Sequence, residues 1–144
     1  MTMSRQKGTY NTYNTYKNLP TISQHKPFHK KELSDLDFGY FLAGLIEADG
    51  WFGEKTLHII FAMQDVTLAY FIKKRIGYGN VYKIKNKKAV RYICRNNKGL
   101  HYVISLINGK LVSFPKYNQL LKHNYSEWLS ILILPPSERI SLGN

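Results

Sequence analysis

"FGYFLAGLIEADGWFG", Phe38 to Gly53, is an apolar run of helical length that gives up bulk at regular intervals and ends on carboxylates. Gly39 and Ala43 stand at i and i+4, as do Gly44 and Ala48, so each pair lies on one face of a helix. A glycine inside a helix costs about 0.5–1 kcal/mol against alanine, and two of them imply a compensation. Close backbone approach to a second helix supplies it, by the geometry of small-xxx-small pairs. Two such helices packed side by side bring their C-terminal ends together, and with them two copies of Asp49. Adjacent carboxylates repel unless cations lie between them. Mg²⁺ takes one or two carboxylates together with phosphate oxygens, and suits that place.

The charge distribution supplies a partner for those ends. The chain has 144 residues and a net charge of +12. From Val66 to Ser126 it contains no Asp or Glu and thirteen Lys or Arg. A field of one sign on a globular domain attracts a polyanion. A membrane surface would call for a basic amphipathic helix, whereas these basic residues fall in alternating segments. The longest apolar runs are well short of the roughly 20 residues of a spanning helix, so no membrane partner is expected. Cys94 is the only cysteine; it permits neither an internal disulfide nor a cysteine-based zinc site, and fits a reducing compartment. The length suits one domain with a buried core.

Along the chain, a first helix is expected from Ser34 or Asp35, either able to cap it, to about Ala48. Leu57, Ile59, Phe61 and Met63 alternate as a strand, with Trp51 and Phe52 as its hairpin partner across "GEK". In "DVTLAYFIKKRIG", Asp65 caps a second helix, Leu68, Phe71, Ile72 and Ile76 form its apolar stripe, and Gly77 stops it. "GNVYKIK" and "AVRYICR" read as a hairpin turning at "NKK". "KGLHYVISLING" is a third helix, and Pro115 opens a last one. The order α-β-β-α-β-β-α-α gives an α+β unit with one sheet. Residues 1–31, with their "TYNTYNTYK" repeat, read as a flexible basic tail, either an organellar presequence or an arm touching phosphates. Residues 32–125 form the domain, and 126–144 an extension or linker containing Pro135 and Pro136.

"LAGLIEADG", Leu42 to Gly50, closely resembles the signature of the LAGLIDADG homing endonucleases, with Glu47 in place of the first Asp. The similarity continues through "FAMQD", "IGYGNVY" and "INGK", covering about residues 35–124. This resemblance implies an αββαββα fold with a curved antiparallel DNA-binding sheet and paired signature helices. It also implies Mg²⁺-dependent double-strand DNA cleavage and an intron-encoded, organellar protein, most simply mitochondrial; the Asn, Tyr, Lys and Ile bias agrees with an AT-rich gene. Carried over by position, Asp49 is the metal-binding catalytic acid. Glu47 is the second acid and is placed at the metal beside Asp49, although in the family it more often orders structure than binds metal. Gln64 is the polar residue that helps hold the attacking water. The basic residue that stabilises transition-state charge falls on Lys116, with Lys110 as the alternative.

A two-stranded ribbon fits the major groove and presents side chains to base edges. His58, Asn80, Tyr82, Arg91 and Arg95 have suitable chemistry there, and Lys83, Lys85, Lys87 and Lys88 suit phosphates. Taken singly each is an ordinary surface group; the acid-free cluster carries the inference. Alternation leaves the outward face open, because Val81 shares a parity with Lys83 and Lys85. If about six phosphates are neutralised, affinity falls with log salt at a slope near −5. Only one signature occurs, so the partner is either a second copy, making a homodimer, or the second half of a longer or split enzyme. Two other functions stay open: an intron RNA-binding maturase, and a DNA-binding module without catalysis.

Overall fold

Ser34 starts the first helix. In the computed structural model, which describes residues 33–136, its hydroxyl accepts the Asp37 N–H at 3.1 Å and caps α1, Asp35–Asp49. Asp35 and Asp37 in the first turn complement the positive end of the helix. The chain then enters a hairpin of β1, Gly50–Gly53, and β2, Thr56–Ala62. A 3-10 turn, Met63–Asp65, leads into α2, Val66–Ile76. A second hairpin, β3 (Asn80–Lys83) and β4 (Ala89–Cys94), precedes α3, Asn97–Ile107. Two short helices follow, α4 (Phe114–Lys122) and α5 (Tyr125–Leu129). The expected order is present, with α5 added.

The strands form one open antiparallel sheet in the order β1-β2-β4-β3. Period-two alternation sorts its two faces. Leu57, Ile59 and Phe61 of β2 and Val90, Tyr92 and Cys94 of β4 point inward. Against them lie Phe38, Leu42 and Ile46 of α1, Ile72 of α2, and Leu100 and Ile104 of α3, all buried. Helices therefore cover one face of the sheet and leave the other to solvent. Gly77, at φ 88°, takes the left-handed conformation that ends α2.

Three expectations need correction. Asp65 makes no side-chain cap, because the preceding 3-10 turn already runs into α2. The buried stripe of α2 is Val66, Ala69, Ile72 and Ile76, while Leu68 and Phe71 are only half-buried; Phe71 instead sets its edge against Phe38. The domain does not stop at residue 125. Leu129 and Ile133 are buried, the Tyr125 hydroxyl donates to the carbonyls of Gly53 and Thr56, and the Asn108 side chain binds Leu132 and Leu134 backbone. The segment to Ile133 is packed onto the sheet hairpin and α3, where a linker was expected. The tail of residues 1–31 and the residues after 136 lie outside the described part.

Candidate functional site

The two acids of α1 have different surroundings. Asp49, the last residue of the helix, is exposed at the end where the helix dipole favours a cation. Glu47 is committed elsewhere. Its Oε2 accepts the backbone N–H groups of Val112 at 2.6 Å and Ser113 at 3.0 Å, and its Oε1 accepts the Ser113 hydroxyl. Ser113 is the residue before α4, so Glu47 clamps the entry of that helix to α1. The expected placing of Glu47 at the metal is thereby corrected to an anchoring role. Among the described residues no three His, Cys, Asp or Glu gather in a group able to hold a metal ion. One chain therefore offers Asp49 as a single free carboxylate, a donor type that Mg²⁺ accepts when phosphate and further ligands complete its shell.

The small residues of α1 divide between two neighbours. A Cβ on Gly39 would stand 2.4 Å from the Leu106 carbonyl oxygen, so Gly39, with buried Ala43 beside it, lets α3 approach within the same chain. The expectation that all four small residues face a second signature helix is corrected for this pair. Gly44 has nothing within 4 Å of its Cβ position, and Ala48 is exposed. Leu36, Tyr40, Gly44 and Ala48 recur every four residues, forming an open stripe that runs down to Asp49.

Two further positions are separated by geometry. The Lys110 ammonium lies 5.3 Å from the Tyr40 ring centroid. Tyr40 is nine residues before Asp49, about 13 Å along a helix axis, so Lys110 belongs to the wrong end of α1. Lys116 sits in the first turn of α4, three residues after the clamped Ser113 and three before Gln119. Gln119 Oε1 accepts the Phe52 N–H at 2.8 Å and docks α4 on β1. Gln64, exposed, stands just past the Ala62 end of β2. Because β1 and β2 are antiparallel, with Gly50 opposite Ile59, that is the end from which Asp49 enters the sheet. Asp49, Gln64 and the turn bearing Lys85, Lys87 and Lys88 thus share one end of the molecule, the Met63 N–H donating to the Lys88 carbonyl there.

The register settles the parity left open by sequence. Trp51, His58, Ile93 and Asn80 form one outward row across the four strands, and Ile60, Arg91 and Tyr82 the next. Four of the expected base-reading residues, His58, Asn80, Tyr82 and Arg91, share this face, and exposed Arg95 follows the end of β4. Lys83 does not: it shares the inward parity of Val81, and at the end of β3 its ammonium turns back to the Lys87 carbonyl. Lys85, Lys87 and Lys88 are exposed in the turn beyond the strands. His58 is held below the usual histidine pKa, by burial first and then by the charges of Arg91 and Arg95. Ser113, Gln119 and Tyr125 were not anticipated, because the hydrogen bonds that engage them span 66 to 72 residues of sequence; Trp51, expected only as a hairpin residue, stacks on His58 seven residues away.

No family profile matches the chain. Over 121 residues it is 46% identical to an uncharacterised cox1 intron-2 37.2 kDa protein of Schizosaccharomyces pombe, covering 83% of this chain and 38% of that one. Over 127 residues it is 26% identical to the intron-encoded DNA endonuclease aI3 of Saccharomyces cerevisiae, covering 80% of this chain and 30% of that one. The chain spans less than two fifths of either relative. Among solved structures, the homing endonuclease I-CvuI, in complex with the I-CreI target in 2 mM Mg and with its DNA uncleaved, shares the fold. The TM-score is 0.56 at 16% identity, over 67% of this chain and 69% of that one.

Proposed function

We infer that this chain, which shares the fold of a homing endonuclease and carries a LAGLIDADG-like signature in α1, is a LAGLIDADG-type site-specific double-strand DNA endonuclease encoded in a mitochondrial intron. The observation that carries this reading is the state of α1: Glu47 is tied to the entry of α4, while Asp49 is exposed beside the open face at Gly44 and Ala48. A second helix of the same kind, from another copy or a second repeat, docks on Gly44 and Ala48 and brings a second carboxylate beside Asp49. That pair holds divalent cations, Mg²⁺ in the cell, which supply Lewis-acid stabilisation of phosphate and activation of water.

The chain's own residues do the rest. The outward sheet face enters the major groove and reads base edges, while Lys85, Lys87 and Lys88 hold phosphates. Gln64, at the Asp49 end of the sheet, orients the attacking water. Lys116, held in place by the Glu47 clamp on one side and the Gln119 dock on the other, places positive charge where the scissile phosphate gains negative charge. The test is a supercoiled plasmid carrying the intronless insertion site, incubated with Mg²⁺ and either wild-type protein or Asp49→Asn. Linear product that disappears in the variant supports the reading. Binding of intron RNA, unaffected by the substitution and without DNA cutting, would replace it with the maturase.

A further inference from the structure

Among the described residues Arg91 forms no ion pair. The four strands contain no acidic residue, and its Nε is closed off from water with no hydrogen-bond partner. Leaving a charged group's donor unpaired is unfavourable, so another contact must hold the side chain. Its guanidinium carbon lies 5.6 Å from the Trp51 ring centroid, inside the roughly 6 Å reach of a cation–π contact. Trp51 in turn stacks on His58, with centroids 4.8 Å apart and planes 8° from parallel. The arrangement ties three strands together: Trp51 and His58 are direct partners across β1 and β2, and Arg91 stands on β4 opposite Ile60. Burial, and then the charges of Arg91 and Arg95, lower the His58 pKa, which favours the uncharged ring in the stack.

We propose that Trp51 is a positioning residue for base recognition: its indole, backed by His58, holds the Arg91 guanidinium as a preset fork for a guanine edge in the major groove. The proposal rests on the endonuclease reading and deepens it. A free arginine loses rotamer freedom on binding, and one already laid on a ring loses less. Its planar fork matches guanine O6 and N7. A phosphate contact needs no such platform, and Lys85, Lys87 and Lys88 stand exposed in their turn. The guanine also has an expected place. Gly50, the residue after Asp49, pairs with Ile59, and Arg91 pairs with the adjoining Ile60, so Arg91 stands two strand spacings across the sheet from the point where Asp49 leads into it, about 10 Å. At about 3.4 Å per base pair, that is roughly three base pairs from the cut.

The experiment selects duplexes from a randomised pool with the full chain in Ca²⁺, and sequences the bound fraction. Wild-type protein is expected to enrich one guanine column about 5- to 150-fold. Trp51→Leu flattens that column while the others and the salt dependence persist; Trp51→Phe keeps it, since a ring face remains. Arg91→Lys flattens the same column, because a point charge lacks the fork. An unchanged guanine column in Trp51→Leu overturns the proposal and leaves the endonuclease reading standing. Wild-type protein that enriches no sequence overturns both. Should Trp51→Leu fail to fold, Trp51→Gln, which also removes the ring face, decides: loss of the guanine column with the others kept supports the proposal, and its survival refutes it.

Discussion

Glu47→Ala distinguishes a structural clamp from a metal ligand. Three hydrogen bonds converge on this carboxylate, two from backbone N–H groups at 2.6 and 3.0 Å and one from the Ser113 hydroxyl. Bonds to a charged acceptor contribute about 1.5–3 kcal/mol each when shielded. Glu47 is half-buried and Val112 is exposed, so water recovers part of the loss and the three do not add fully. The expected destabilisation is about 2–3 kcal/mol, or a fall in Tm of roughly 8–20 °C for a domain of this size. Urea unfolding followed by far-UV circular dichroism in EDTA measures it with no divalent cation present. A ligand acting only on metal would leave the midpoint unchanged under those conditions. A loss below about 0.5 kcal/mol, the range of an ordinary surface substitution, would refute the clamp. Because α4 carries Lys116, cutting should also fall in this variant at saturating Mg²⁺.

Substitutions at the two helix glycines should diverge. Gly39→Ala drives a Cβ to within 2.4 Å of the Leu106 carbonyl oxygen and should cost about 1–3 kcal/mol of stability by overpacking. Gly44→Ala meets no neighbour and should stabilise the isolated chain by about 0.5–1 kcal/mol, while Gly44→Leu should leave folding intact and abolish pairing in sedimentation; thermal melts that rank the two alanine variants the other way would contradict the division of faces. His58 has a folded pKa below its unfolded value, so the unfolded chain binds more protons below about pH 6.5 and stability at this site should decline as the pH falls through that range. Arg91→Gln should raise the His58 pKa in an NMR titration, and bound DNA should raise it further, since a polyanion reverses the field; an unmoved titration in both cases would remove Arg91 as a cause.

Much of the fold was legible because its signals are local. Ser34 capped α1, Gly77 ended α2, and alternation around Leu57 to Phe61 gave β2 and its inward face. The signature gave Asp49. What stayed hidden was set by pairings far apart in sequence. Sequence spacing shows that Gly39 and Ala43 share a face, but not that Leu106 lies against it. Nothing local to Glu47 reveals Val112 and Ser113, more than sixty residues on. Parity in β3 was ambiguous because Lys83 ends the strand, where an inward position can still reach solvent. The end of the chain read as a linker because α5 is too short to show a helical period, although Tyr125, Leu129 and Ile133 bury their side chains.

The proposed pairing of two acidic helix ends can be measured without knowing their geometry. Asp49→Asn protein is mixed with wild type at constant total concentration, with Mg²⁺ and plasmid bearing the insertion site, and linear product is quantified. If each double-strand break needs two intact Asp49 carboxylates from two freely exchanging copies, an equimolar mixture yields about a quarter of the wild-type product. A fall in simple proportion, to about half, would mean that each chain cuts alone, and the shared site between paired α1 helices would not exist.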